Sequence, residues 1–149
     1  MRIVEARTAE EIEVARELFH EYWNSFGFTP CFQGFGDEVA SLPGKYIALG
    51  LLYMPEGAAG CVALRPFDQT RAEFKRLYVR PGWRGQGLGR HLLAWVVARA
   101  KELGYQELVA DTMPEMTSAL ALYDQAGFER TPPYSADPTP GAVYLRLKL

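Results

Sequence analysis

The chain has few of the residues from which metal and redox sites are built. Its two cysteines, Cys31 and Cys61, have neither redox-pair nor zinc-ligand spacing. They read as reduced thiols of a cytoplasmic protein. Its two histidines, His20 and His91, have no metal-like partner spacing. They read as surface or hydrogen-bonded helix residues, and no metal is expected. No apolar run approaches the ~18 residues of a membrane span. Position 1 leads straight into a strand-like segment with no signal peptide, so no membrane partner is expected. The formal charge of −2 excludes the basic footprint of a nucleic-acid-binding protein. Neither repeat nor linker divides the chain, and residues 1–149 read as a single domain with one substantial core. Two phosphate-binding fingerprints are also missing. A Gly-x-Gly-x-x-Gly run counted from Gly85 would need its third glycine at Arg90, and no Gly-Lys-Ser/Thr follows. A nucleotide-binding protein is therefore disfavoured.

What is present is concentrated in residues 73–90. A strand read as alternating (Phe74, Leu77, Val79) runs through Arg80-Pro81 into a turn with glycines at 85, 87 and 89, and the turn opens a long amphipathic helix. A helix N-terminus offers unpaired N–H donors and the positive end of the helix dipole, which together favour a phosphate. Arg84 and Arg90 add charge beside it, and Lys75, Arg76 and Arg80 lie close in sequence. The pattern predicts a pyrophosphate cradle. The bland alternative is a tight strand–helix connection.

The remaining signals order the elements. Residues 2–7 read as a first strand. Thr8-Ala9-Glu10-Glu11 is a capping box, and Ile12, Ala15, Leu18, Phe19, Tyr22, Trp23 and Phe26 follow at helical spacing until Gly27. Residues 37–42 suggest a short helix. Strands are predicted over 46–54, 59–64 and 72–80, with Pro55-Glu56-Gly57 as a hairpin turn. A helix over 87–103 ends at Gly104, and a strand covers 107–112. Pro114 suits the first turn of a helix that carries Met116, Ala119, Leu120 and Tyr123 and stops at Gly127. A short strand starts at Phe128, prolines stiffen 132–140, and Val143, Leu145, Leu147 and Leu149 alternate in a last strand. The interleaving predicts an α/β or α+β sheet with helices on its faces.

Three segments together carry a resemblance. Arg84-x-x-Gly87-x-Gly89 after a strand ending Leu77-Tyr78-Val79 resembles the acyl-CoA-binding motif of the GNAT superfamily of N-acetyltransferases. Leu120-Ala-Leu-Tyr-Asp-Gln-Ala-Gly-Phe128 is similar to the family's helix-then-strand signature. Phe32-Gln-Gly-Phe35 with Leu42-Pro-Gly44, and Pro133 to Gly141, resemble a subgroup of small bacterial-type members. The order of elements is similar along nearly the whole chain. The resemblance implies a mixed, mostly antiparallel sheet of about seven strands flanked by about four helices and splayed between strands four and five. It implies acetyl-CoA as the acyl donor, no metal, and a small-molecule or peptide amine as acceptor. Family members are often homodimers, and no interface can be read from the residues.

The resemblance also implies roles. Backbone amides of Gly85, Gln86, Gly87, Leu88, Gly89 and Arg90, with Arg84, would hold the pyrophosphate. Leu77, Tyr78 and Val79 would lie along the pantetheine arm, with the backbone of Leu77 and Val79 pairing to it. Tyr123 would protonate the leaving thiolate. Glu73, eleven residues before Arg84, stands where some members carry the base that deprotonates the acceptor amine. Near pH 7 an alkyl amine is protonated and must lose a proton to attack a thioester. Strand-four amides can serve the developing oxyanion. Direct transfer in a ternary complex needs no covalent intermediate, hence neither cysteine. The family's asparagine seven residues before the tyrosine is Met116 here, which cannot make the amide's hydrogen bonds.

On the acceptor side, Phe32, Glu38, Asp111 and Tyr134 are candidate substrate residues, with Phe35 and Tyr46 as further pocket aromatics. Each has a plainer reading. Glu73 on an exposed strand face, or Glu38 on a helix surface, would be merely solvated; Asp111 could cap the next helix; the aromatics could be core, as could Tyr123. The acidic candidates point to a cationic amine, such as a peptide N-terminus, lysine, polyamine or aminoglycoside. A non-catalytic acyl-CoA-binding regulatory module would keep the glycine loop and need neither Tyr123 nor an acceptor pocket.

Overall fold

The computed structural model describes residues 1–26 and 34–149. The chain forms β1 (Arg2–Glu5), α1 (Ala9–Asn24), α2 (Phe35–Ala40), β2 (Ala48–Met54), β3 (Gly57–Pro66) and β4 (Arg71–Val79). A 3-10 turn (Pro81–Trp83) then leads to α3 (Leu88–Glu102), β5 (Glu107–Thr112), α4 (Thr117–Gln125), β6 (Glu129–Thr131) and β7 (Val143–Lys148). The strands make one seven-stranded sheet in the order β1-β2-β3-β4-β5-β7-β6. Every pairing is antiparallel except β4 with β5.

Local signals explain most boundaries. The Thr8 hydroxyl accepts from the Glu11 amide at 3.1 Å, and the Glu11 carboxylate accepts from the Thr8 amide at 3.0 Å, so the capping box opens α1. Gly104, in the left-handed region at φ 88°, closes α3. Two boundaries move. α2 begins at Phe35, two residues before the expected start. α4 begins at Thr117 rather than at Pro114, because residues 113–116 turn on themselves: the Met116 amide donates to the Met113 carbonyl at 3.0 Å before the helical ladder starts.

Each face of the sheet has its own core. Under α3 and α4 lie Leu52, Val62, Leu64, Phe74, Leu92, Val96, Leu108, Phe128 and Leu145. Under α1 and α2 lie Leu18, Phe19, Trp23, Phe35, Val39, Leu49, Leu51, Cys61 and Tyr78. Phe35 belongs wholly to this core, its ring stacked on Trp23 at 4.2 Å between centroids. It is therefore not a pocket residue. Gly60 lets β3 and β4 approach, since a Cβ there would lie 2.5 Å from the Tyr78 carbonyl oxygen.

Two irregularities of β4 shape the site. Strict alternation would put Phe74 and Leu77 on opposite faces, yet both join the α3 core. The reason is a β-bulge. The register steps from Cys61↔Tyr78 to Ala63↔Lys75, so one residue of β3 opposes two of β4, and Arg76 takes φ 60°. The extra residue turns both Lys75 and Arg76 toward the α1 side. The second irregularity is the end of β4–β5 pairing. It covers only Arg71–Glu73 against Glu107–Val109, while β5 stays with β7 as far as Thr112. Beyond Glu73 the two strands separate. Among the described residues, no strand lies beside the β5-facing edge of β4 from Phe74 to Val79.

Candidate active site

The glycine turn sits at the end of that free edge. Gly85 (φ 83°) and Gly87 (φ 78°) adopt the left-handed conformation that glycine takes without strain. A Cβ at either would meet nothing within 4 Å, so both face open space. The first ladder bond of α3 runs from the His91 amide to the Gly87 carbonyl at 3.4 Å, and no side chain caps the helix. The amides of Leu88, Gly89 and Arg90 are therefore the open donors of a helix start with no acid in its first turn. The Leu88 side chain is buried in the core, so only its backbone belongs to the cradle. Arg84 donates to the Val79 carbonyl at 2.9 Å and lies over the Tyr78 ring. Arg90 donates to Gln125 at 3.2 Å.

From this loop a continuous trench follows the free edge of β4. Its first part, about 490 Å³, runs between Leu77, Tyr78, Val79 and Arg84 on one side and Ala119 and Leu122 of α4 on the other. Tyr22, Phe26, Glu115 and Met116 are shared with the next cavity, about 470 Å³, which contains Lys75, Arg76, Asp111 and Met113. Lys75, Arg76, Asp111 and Thr139 lead on to a third, about 390 Å³, at Glu38, Glu73, Tyr134 and the proline-stiffened loop. The gap between β4 and β5 thus joins a glycine-loop end to an end lined by Glu38, Glu73, Asp111 and Tyr134.

The trench gathers only part of the expected site: Glu38, Glu73, Asp111 and Tyr134 line it, whereas Tyr123 does not. Tyr123 is 5% exposed, with its ring against Phe74 and Phe128. Among the described residues its hydroxyl makes no hydrogen bond. Burial pushes the phenol well above its ordinary value, helped by nearby Tyr22 and Asp111, so the proton stays on. Glu73 is not on an exposed face: it is 4% exposed. One carboxylate oxygen accepts from Arg65 at 2.6 Å and the other accepts from the Tyr134 hydroxyl. Tyr134 is wedged between Phe67 and Tyr144. Glu38 is likewise not merely solvated, since Arg76 donates to both its oxygens at 2.8 and 3.0 Å. Asp111 does not cap α4, whose N-cap is Met116 without a side-chain bond; it faces the trench with the Lys75 ammonium at 3.8 Å. Tyr46 is buried, and among the described residues its hydroxyl has no hydrogen-bond partner. Phe32 lies outside the described residues.

Tyr22, Phe26 and Met113 line the trench and were not singled out by sequence reasoning. Tyr22 and Phe26 sit at helical spacing among core residues, so periodicity alone assigns them to the core. Met116 sits at the corner between β5 and α4, and the Thr112 hydroxyl donates to its sulfur at 3.0 Å, a weak acceptor. Cys61 is buried and its thiol donates to the Arg76 carbonyl at 3.3 Å.

The sequence model described as the Acetyltransferase (GNAT) family matches residues 11–128. The chain belongs to the GNAT acetyltransferase family. An N-acetyltransferase of Schizosaccharomyces pombe is 36% identical over 146 residues, covering 94% of this chain and 90% of that protein. A GNAT-family acetyltransferase from Staphylococcus aureus shares the fold, with a TM-score of 0.82 at 18% identity over 99% of this chain and 98% of the other. An aminoglycoside N(6')-acetyltransferase of Stenotrophomonas maltophilia is 44% identical over 54 residues, covering 36% of this chain and 35% of that protein.

This acetyltransferase keeps several weak acids buried and neutral. Burial raises Tyr46, Cys61 and Tyr123 well above their ordinary values, and half-burial at the trench wall pushes Tyr22 up to about 12. The unfolded chain ionises these groups near their ordinary values of 9.0 for the thiol and 10.0 for a phenol, while the folded chain does not. Their contribution to stability is therefore complete below about pH 9 and is lost as pH rises, by about 1.4 kcal/mol per pH unit for each group. The urea midpoint should fall steeply between about pH 9.5 and 11. A midpoint that is flat over that interval contradicts the burial of these groups.

Proposed function

We propose that this acetyltransferase takes acetyl from acetyl-CoA and passes it directly to a primary amine held in the same trench. The observation that carries the reading is the free edge of β4, which runs from the open amides of α3 to the carboxylates Asp111, Glu38 and Glu73. The loop residues fit a pyrophosphate: two glycines leave open the space a side chain would fill, and no acid opposes the charge. The amides of Gln86 to Arg90 would hold it, with Arg84 and Arg90 as counter-charges. The backbone of Leu77 and Val79 would pair with the pantetheine arm in the manner of an added strand. Bound there, acetyl-CoA supplies an acetyl group activated as a thioester.

The chain's own groups then handle protons. In this reading Glu73, which accepts from Arg65 and Tyr134, takes the ammonium proton, with the Tyr134 hydroxyl as a relay that passes its own proton to Glu73 as it takes the next. As the C–N bond forms and the C–S bond breaks, Tyr123 gives its proton to the sulfur and regains one from the acylated nitrogen. One proton is released to solvent for each amine acetylated. Holding amine and thioester together supplies much of the rate.

The test is calorimetric titration of acetyl-CoA followed by thiol release across a panel of amines. Binding with amine-dependent release supports the reading. Binding without release for any amine favours a non-catalytic acyl-CoA module, and absence of binding overturns the assignment of the glycine loop.

A further inference from the structure

We infer that the acceptor is a monoamine on an apolar body, aromatic or branched aliphatic, whose ammonium is anchored by Asp111. The inference rests on the acetyltransferase reading and narrows its acceptor. Negative charge alone would suggest a polycation, since Glu38, Glu73 and Asp111 all reach the acceptor side of the trench. Each of them, however, already has a cation from the chain. Arg76 holds Glu38 at 2.8 Å, Arg65 holds Glu73 at 2.6 Å, and Lys75 stands 3.8 Å from Asp111. Glu115 and Asp137, the other acids of these cavities, are exposed at the rim. No surplus of buried negative charge is left for a second or third ammonium. Further ammonium groups of a polyamine or aminoglycoside would lose hydration beside Lys75 and Arg76 without a partner.

Asp111 differs from the other two carboxylates. Its ion pair is the longest of the three, and its oxygens accept no hydrogen bond among the described residues, although its side chain is only 18% exposed. One ammonium can bind there without breaking a bidentate pair. Around it the wall is apolar: Tyr22 and Trp23 from α1, Phe26 just past its end, and Met113 and Met116 after β5. Methionine and aromatic side chains favour an apolar body of adaptable shape. A single ammonium beside one unsaturated carboxylate, on a wall of aromatic and thioether groups, describes an amphipathic monoamine.

The experiment uses the full chain, shown first by calorimetry to bind acetyl-CoA. Thiol release is then measured with 2-phenylethylamine, isoamylamine, spermidine and tobramycin. The two apolar monoamines should exceed spermidine and tobramycin in kcat/KM by about ten-fold or more. Asp111→Asn should raise KM for 2-phenylethylamine about ten-fold with little change in kcat, and should weaken calorimetric binding of that amine to the CoA-loaded protein in parallel. Lys75→Gln, which leaves Asp111 without its cation, should raise kcat/KM for spermidine several-fold. Preference for spermidine or tobramycin, unaltered amine binding in Asp111→Asn, or an unchanged spermidine rate in Lys75→Gln overturns the inference. So does a protein that binds acetyl-CoA yet acetylates neither apolar monoamine. Failure to bind acetyl-CoA at all instead overturns the acyl-donor reading on which the inference stands.

Discussion

Gly87→Trp should abolish acetyl-CoA binding while the protein remains folded. Gly87 has φ 78°, and a Cβ there meets nothing within 4 Å. The indole would therefore occupy the space in front of the open amides of α3 rather than collide with the core. The left-handed backbone makes any side chain cost about 1–2 kcal/mol. At about 2–4 °C per kcal/mol for a chain of this size, that is a modest fall in Tm. A control separates strain from occlusion. Gly104 has φ 88° and equally open surroundings, but it closes the far end of the same helix. Gly104→Trp should carry a similar loss of Tm and bind acetyl-CoA as the parent does. Calorimetric titration of both variants decides the matter, and parental affinity in Gly87→Trp would remove the cradle from this loop.

Tyr123→Phe should lower kcat by on the order of 10²-fold with acetyl-CoA affinity retained. The ring is packed by Phe74 and Phe128, and phenylalanine keeps that packing. The hydroxyl makes no hydrogen bond among the described residues, so its removal leaves no partner stranded and should leave Tm unchanged or slightly raised. Loss of turnover without loss of stability or donor binding is the signature of a proton donor at the sulfur. A core residue with no chemical role would leave kcat intact, and equal turnover in the variant would end the assignment. The high pKa direction of this phenol adds a constraint: Tyr123 remains protonated throughout the neutral range, so it contributes no titration step of its own to the kcat profile there.

Much of the fold was legible because its signals are local. The Thr8–Glu11 capping box, the Gly104 stop and the glycine turn before α3 each act within a few residues, and each occurs where it was expected. The seven-stranded sheet, its four helices and the gap between β4 and β5 agree with the family resemblance. The α4 start was misplaced because Pro114 is compatible with a helix first turn, but the chain leaving β5 at the gap turns once more before the helix begins. The β4 bulge had a faint signal: Phe74, Leu77 and Val79 do not keep a period of two. Nothing local says whether such spacing is a bulge or the end of a strand.

The amino-acid sequence by itself determined the glycine loop at the head of α3, the order of elements and the family, because turn geometry, caps and apolar periodicity are properties of neighbouring residues. Only the tertiary structure decided the character of the carboxylate end of the trench. Glu73 is buried between Arg65 and Tyr134, Arg76 is spent on Glu38, and Asp111 is left with its oxygens open beside Lys75. Those partners come from different strands and loops. Which carboxylate is neutralised and which faces a ligand depends on distances of a few ångström between segments far apart in the chain, and Coulomb interactions and desolvation act over such distances in space, whatever the separation in sequence.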